Sequence, residues 1–267
     1  VSYMRSRIIP LGMAAIMAGY IFSGCQGTPV VEEGSQASAS VGASSSTDAG
    51  TFYNFDPPQV GEKIAVITVK DYGEIKIKLF PEQAAKGVEN FIGLADMGYY
   101  DELIFHRIIP EFMIQGGDPK GNGTGGNCIW GDSFDGGNPE GLYHFSGAVA
   151  YANSGSTSTN GSQFYIVNTP EGYVNYGAGY DSDNNYVVFN DFDQMCRLTG
   201  KTVPQAVRDK YLEVGGTPCL DGGYTVFGQV FEGLDIVREL GNVETDDNDK
   251  PLTQDQMENV KIVEYQG

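Results

Sequence analysis

An arginine lies within an apolar stretch of this sequence, at position 107 of FHRIIPEFMIQGGD, residues 105–118. Pro110 and Glu111 divide the stretch into two strand-like pieces, which normally direct their large side chains into a core. A guanidinium beside so much apolar surface is costly unless it has a partner or a chemical task. Arg107 therefore either pairs with an acid at the rim of a barrel or serves as a permanently protonated hydrogen-bond donor.

The composition excludes several classes of function. The chain has 267 residues and a formal net charge of -19, which argues against a nucleic-acid partner because such partners need a clustered basic face. The two histidines, His106 and His144, and the four cysteines lack the spacing of a metal site. The glycine-rich stretch at 121–126 matches a dinucleotide motif only formally, because no strand–helix unit surrounds it. We expect no metal and no cofactor.

The first 25 residues differ from the rest of the chain. Arg5 and Arg7 precede an apolar stretch at 8–22, which is short for a transmembrane helix and suits an export signal. A Ser-Gly pair then precedes Cys25, and this arrangement resembles the signal of bacterial lipoproteins. The resemblance implies that residues 1–25 are a signal peptide and that Cys25 receives a diacylglycerol anchor. An ordinary signal peptide or an uncleaved anchor is the alternative.

The remaining chain divides into a tether and one folded domain. Residues 26–50 are rich in Ser, Ala and Gly and poor in large apolar groups, so we predict a flexible tether across 26–60. We assign 61–267 to a single domain. Within it, residues 170–218 are too long for a hairpin loop and contain the helical pattern VPQAVRDKYLEV, which indicates a partly helical insertion.

The elements that must position Arg107 are mostly short strands separated by glycine turns. Alternation of apolar and polar residues predicts strands in KIAVITVKD and GEIKIKLF, and a strand in ENVKIVEYQ near the end. Helical periodicity predicts one helix after Pro81 and a second in EGLDIVREL. The pattern is mainly β and predicts a closed antiparallel barrel capped by two helices.

Three stretches in this order, FHRIIPEFMIQGGD, ANSGSTSTNGSQFYI and LDGGYTVFGQV, resemble the cyclophilin family of peptidyl-prolyl cis-trans isomerases. The resemblance covers about residues 63–265 apart from the insertion. It implies a mainly β fold, a closed eight-stranded antiparallel β-barrel capped by two α-helices. It also implies that Arg107 and Gln115 are catalytic. The other matched positions are implied to bind substrate, namely Phe112, Met113, Ala152, Asn153, Gln163, Tyr165, Leu220 and Tyr224.

The implied reaction is rotation about an X-Pro bond. Amide resonance opposes it with a barrier of about 18–20 kcal/mol, and a fixed donor aimed at the pyramidal prolyl nitrogen favours the twisted state. We therefore expect a monomeric isomerase that binds proline-containing polypeptides and assists the folding of exported proteins. It would be lipid-anchored outside the cytoplasm, on the outer face of the bacterial cytoplasmic membrane. A non-catalytic peptide-binding chaperone that uses the same groove is the alternative.

The expected anchor can be tested directly. Cys25→Ala removes the thiol that would carry the lipid, so the protein should leave the detergent phase in Triton X-114 partitioning of cells that express it. Cys128→Ala is the matched control and should partition like the wild type. Unchanged partitioning of the Cys25 variant would mean that the apolar segment itself is the anchor.

Overall fold

The computed structural model describes residues 50–267, so the predicted signal peptide and Cys25 lie outside the described residues. Within 50–267, no helix combines the length and apolar character that crossing a membrane requires. The elements in chain order are β1 (Lys63–Val69), β2 (Gly73–Leu79), α1 (Ala85–Asp96), β3 (Arg107–Ile109), β4 (Met113–Gly116), β5 (Ala148–Tyr151), β6 (Phe164–Val167), β7 (Ala178–Tyr180), β8 (Tyr186–Val188), α2 (Phe192–Thr199), α3 (Gln205–Val214), β9 (Val226–Glu232), α4 (Leu234–Leu240) and β10 (Met257–Glu264).

Eight strands form one antiparallel sheet in the order β10-β1-β2-β9-β5-β6-β4-β3, and β7 pairs with β8 alone. The prediction of a closed barrel is wrong, because the edge strands β3 and β10 do not pair as strands and the sheet is an open, curled half-barrel. The isolated bridge between Ile104 and Gln256 connects the two edges. Strand β3 is short, and the Ile108 N–H donates to the carbonyl of Asp249 in a turn at 2.8 Å. The turn that contains Asp249 therefore lies at the outer edge of β3, where β10 would have to pair to close the barrel.

The inner face of the sheet forms the main core. Alternate residues of β1 and β2, such as Ile67 and Ile75, are fully buried, as the period of two in the sequence predicts. Helix α1 covers this core with Phe91, whose ring lies 5.4 Å from the ring of Phe164 and 5.1 Å from that of Phe227. Burying a phenylalanine contributes about 1.5–3 kcal/mol, and the buried Val88 and Leu94 of the same helix add to this.

Residues 170–218 carry a second, smaller hydrophobic cluster. Hairpin β7–β8 and helices α2 and α3 surround it, and α2 is a helix that the sequence patterns did not predict. Asp191 caps α2 by accepting the N–H of Gln194 at 2.7 Å, and Gly200 ends it in a left-handed conformation. Phe145 joins this cluster from the sheet side, so the segment packs on the domain.

Residues 50–60, the last part of the predicted tether 26–60, contact the domain. Phe52 contacts Phe145, with 5.5 Å between ring centroids. The buried side chain of Asn54 donates to the Tyr143 carbonyl at 3.0 Å and to Oε1 of Gln229 at 2.9 Å. Its own Oδ1 accepts the Tyr143 N–H. Local composition could not reveal these contacts, because each partner lies far away in the chain.

This packing predicts a measurable contribution of Asn54 to stability. Asn54→Ala leaves Gln229 and both backbone groups of Tyr143 without this partner, and should lower the free energy of unfolding by about 1–3 kcal/mol. Urea unfolding of the full chain measures the loss. Gln59→Ala, in the same segment but exposed, should change the midpoint little. Equal urea midpoints for the two variants would show that the contacts of Asn54 do not stabilise the domain.

Candidate active site

Three hydrogen-bonded strands place three functional side chains in one row, which we call the polar row: Arg107, Gln115 and Tyr165. Arg107 in β3 lies opposite Gln115 in β4, and Gln115 lies opposite Tyr165 in β6. Directly opposed residues of antiparallel strands project to the same face. Their strand neighbours Ile108 and Ile114 are fully buried in the core. The polar row therefore lies on the outer face of the sheet.

The partner of Arg107 is Asp249. Nε and Nη2 of Arg107 both donate to Oδ2 of Asp249, each at 3.3 Å. The two side chains are 27% and 30% exposed, so this pair contributes little to stability and its main effect is to orient the guanidinium. Among the described residues, Nη1 of Arg107 has no hydrogen-bond partner, and it is available to a ligand. The acidic partner considered for Arg107 from the sequence is therefore present, and it leaves one donor group unused.

The side-chain amide of Gln163 fixes the orientation of Gln115. Nε2 of Gln163 donates to the carbonyls of Gly123 at 3.1 Å and Gly125 at 2.7 Å. Because carbonyls only accept, Oε1 of Gln163 must face Gln115, whose Nε2 donates to it at 2.9 Å. Within residues 50–267, Oε1 of Gln115 has no hydrogen-bond partner and remains an unused acceptor.

A buried carboxylate holds the glycine loop that Gln163 contacts. Asp118 accepts four backbone N–H groups at distances of 2.6–3.1 Å, those of Lys120, Asn122, Gly123 and Thr124. Burial opposes the charge of Asp118, but these hydrogen bonds outweigh it and lower the pKa of the carboxyl. Burial lowers the pKa of the neighbouring His106, despite the opposing effect of Asp118. No sequence motif had indicated this role of Asp118.

Beside the polar row lie the apolar side chains that the sequence assigns to the proline pocket. Four of these side chains belong to the main core cluster and are more than nine-tenths buried, namely Phe112, Met113, Tyr165 and Leu220. Tyr224 is partly buried and packs against them. The rings of Tyr165 and Tyr224 meet edge to face, with centroids 5.8 Å apart. Burial raises the pKa of Tyr224, while Arg107 acts in the opposite direction, so the guanidinium lies within electrostatic reach of the pocket.

The sequence of this chain is similar to those of known proteins over most of the domain. The family model described as cyclophilin type peptidyl-prolyl cis-trans isomerase/CLD matches residues 64–262. The chain belongs to the cyclophilin-type peptidyl-prolyl cis-trans isomerases. It is an isomerase of X-Pro bonds, as the ordered motifs predicted.

Two bacterial relatives and one solved structure illustrate the similarity of this cyclophilin. A provisionally named peptidyl-prolyl cis-trans isomerase of Staphylococcus aureus (strain COL) is 39% identical over 206 residues, covering 77% of this chain and 94% of the relative. A provisionally named bifunctional phosphatase/peptidyl-prolyl cis-trans isomerase of Streptococcus pyogenes serotype M6 is 41% identical over 207 residues, 76% of this chain, which spans only 39% of that relative. The cyclophilin type isomerase of Cryptosporidium parvum, solved in the presence of the dipeptide Ala-Pro, aligns with a TM-score of 0.54 and 29% identity, covering 76% of this chain and 99% of that one.

Two further predicted substrate positions, Ala152 and Asn153, directly follow β5. The Ala152 N–H donates to the Gln163 carbonyl at 3.0 Å, which extends the pairing of β5 with β6. The Asn153 side chain is used internally, since Nδ2 donates to the Gly223 carbonyl and Oδ1 accepts the Gly155 N–H. The predicted contact of Asn153 with a substrate would therefore have to come from its backbone. Within residues 50–267, no cluster of His, Cys, Asp and Glu is suited to hold a metal ion.

Sequence reasoning missed two polar residues behind the pocket. His144 is buried, with Nδ1 2.8 Å from Oδ1 of Asp221 and Nε2 3.0 Å from the hydroxyl of Tyr165. The only sequence signals were that His144 is one of two histidines and that Asp221 follows Leu220 in the LDGG motif. Neither signal identifies the other as its partner.

The pairing of Arg107 with Asp249 predicts a loss of activity without a loss of fold. Asp249→Asn keeps the shape and tolerates the positive φ of 62° at this position, but it weakens the hold on the guanidinium. We expect kcat/KM in a protease-coupled X-Pro peptide assay to fall about tenfold, which is about 1.4 kcal/mol of transition-state stabilisation.

Asp247→Asn is the matched control, because Asp247 is exposed in the same turn. It should keep the wild-type rate and melting temperature. An Asp249→Asn variant as active as this control would show that Arg107 needs no fixed orientation.

Proposed function

We propose that this isomerase catalyses X-Pro rotation with Arg107 as the electrostatic catalyst and the apolar pocket as the proline site. The observation that supports this assignment is the position of Arg107: it stands in the polar row beside the pocket, is oriented by Asp249, and keeps Nη1 unused. A hydrogen-bond donor that is held in place before the substrate arrives needs little reorganisation during the reaction.

The chemistry requires a donor whose effect differs between planar and twisted amides. Rotation removes the conjugation of the prolyl nitrogen, which becomes pyramidal and more basic, and a donor aimed at it binds the twisted state better. A guanidinium group is always charged in proteins, so it can donate a hydrogen bond without a preceding protonation step. One such donor supplies about 3–4 kcal/mol, which accelerates the step by two to three orders of magnitude.

The groove would hold the substrate on both sides of the rotating bond. Phe112, Met113, Tyr165 and Leu220 would hold the proline ring, with Tyr224 at the rim. Oε1 of Gln115 would accept a backbone N–H of the substrate, and the backbone at Ala152 and Asn153 would pair with the extended chain. The Cryptosporidium parvum structure, solved in the presence of Ala-Pro, supports proline-containing peptides as ligands of such a site.

The cellular role follows from the start of the sequence rather than from the groove. Cys25 behind a short apolar stretch, followed by a Ser-rich segment, supports a lipid anchor on the outer face of the bacterial cytoplasmic membrane. Its substrates there would be exported polypeptides during folding, when X-Pro bonds exchange slowly. We further propose that residues 170–218 are an insertion in the cyclophilin domain.

The role of Arg107 has a specific kinetic signature. Arg107→Ala should lower kcat by about two orders of magnitude, because the lost donor acts on the transition state. Peptide affinity in the ground state should change much less. Line-shape analysis of NMR exchange on an X-Pro peptide measures both quantities on the same sample.

Two comparisons decide between catalytic and structural roles. Arg107→Lys should recover only part of the rate, since an ammonium lacks the planar fork of donors. The melting temperature of Arg107→Ala should stay close to wild type, because the side chain lies on the groove surface. A folded Arg107→Ala variant with near wild-type kcat would remove the catalytic assignment.

A further inference from the structure

We infer that residues 170–218 position the proline pocket through a buried chain of hydrogen bonds, Tyr211–Asp221–His144–Tyr165, in which His144 and Asp221 are positioning residues. The inference rests on the proposed function only in taking Tyr165 as a wall of the proline pocket. It assigns to residues 170–218 a task in substrate binding that the cyclophilin motifs do not indicate.

For a neutral His144 ring, the tautomer follows from its partners. Nδ1 lies 2.8 Å from Oδ1 of Asp221, and an ionised carboxylate only accepts, so Nδ1 carries the hydrogen. In the neutral ring, Nε2 then has a free lone pair and accepts the hydroxyl hydrogen of Tyr165 at 3.0 Å. The two rings lie nearly parallel, with 17° between their planes. His144 therefore holds the far end of the tyrosine that forms the pocket.

Asp221 joins this pair to residues 170–218. Its Oδ1 also accepts the backbone N–H of His144 at 2.9 Å, and its Oδ2 accepts the hydroxyl of Tyr211 at 2.7 Å. Tyr211 belongs to α3 and is fully buried, with its ring 4.4 Å from that of Phe145. Lys201 donates from Nζ to the Asp221 carbonyl at 2.7 Å. Lys201, which precedes α3, and Tyr211, which lies within it, thus both bind Asp221.

Residues 170–218 also contact Cys219, which lies two positions before Asp221. Cys219, which precedes the pocket residue Leu220, accepts the Lys201 ammonium at its carbonyl. A Cβ on Gly177 would lie 2.6 Å from Sγ of Cys219, so the backbone of the segment touches this wall directly. Leu220 is therefore flanked by Cys219 and Asp221, and residues 170–218 contact both.

These groups act on binding and not on the reacting bond. His144 is 1% exposed and contacts the hydroxyl of Tyr165. A pocket that is held more firmly binds the proline ring equally well in planar and twisted states, and such uniform binding appears in KM. Loss of the chain should therefore raise KM and leave kcat close to its original value, in contrast to Arg107→Ala.

Removal of one hydroxyl tests the connection. Tyr211→Phe keeps the ring in the second core but removes the donor to Asp221, and we expect KM for an X-Pro peptide to rise threefold or more with kcat within twofold. The matched control is Tyr176→Phe in the same segment, whose ring packs against Phe192 and whose hydroxyl has no hydrogen-bond partner among the described residues. It should keep both constants. A lower melting temperature with an unchanged KM for Tyr211→Phe would overturn the inference.

A double variant tests whether the effect passes through Tyr165. Tyr165→Phe removes the hydroxyl at the other end of the chain, so adding Tyr211→Phe to it should raise KM less than Tyr211→Phe does alone. If the increase in KM of the double variant equals the product of the two single increases, Tyr211 and Tyr165 are not connected. That result would overturn the inference even if Arg107 is catalytic.

Nitrogen-15 NMR of the histidine rings supplies a readout that does not depend on activity. The sequence contains only His106 and His144, so His144→Asn assigns the signals by difference. We expect His144 to carry its hydrogen on Nδ1, and its Nε2 signal to shift on Tyr165→Phe. A ring with hydrogen on Nε2 and a bare Nδ1 would contradict the derived arrangement.

Discussion

The register of β3, β4 and β6 is the constraint on which the active site depends. A slip of one residue in β4 would turn Gln115 into the core and bring Ile114 to the surface, because side chains alternate between faces with a period of two. The fully buried Ile108 and Ile114 fix the register from the inside. The hydrophobic effect that holds the sheet together thereby also sets which polar side chains lie on its outer face.

Each member of the polar row is held from a different direction. Asp249 holds the guanidinium of Arg107 from the turn beyond the sheet edge, while Gln163 holds Gln115 from the glycine loop that Asp118 organises. The open edge of the half-barrel matters here, because the turn containing Asp249 occupies the place where a β10 residue would otherwise pair with β3. A preorganised donor of this kind is what stabilisation of a twisted amide requires.

The pocket side of the groove depends on polar contacts buried behind an apolar surface. Tyr165 presents its ring to the pocket and its hydroxyl to His144, and Asp221 satisfies the other side of His144. A buried network of this type is stable only when every member has its partner, since an unpaired polar group in a core is costly. Residues 170–218 supply one of those partners, Tyr211, and for this reason they are more than an appendage to the sheet.

The sequence by itself indicated strands β1, β2 and β10 and helices α1, α3 and α4, because alternation and helical periodicity are local features of a sequence. The groove positions that the ordered motifs indicated stay predictions. It also indicated that Arg107 needs either an acid or a task. Only the tertiary structure decided that it has Asp249, 142 positions away, that His144 pairs with Asp221, 77 positions away, and that Asn54 belongs to the domain. It likewise decided that the sheet stays open at β3. Such partners depend on where the chain returns in space, and a polar side chain carries no local signal of which distant group will satisfy it.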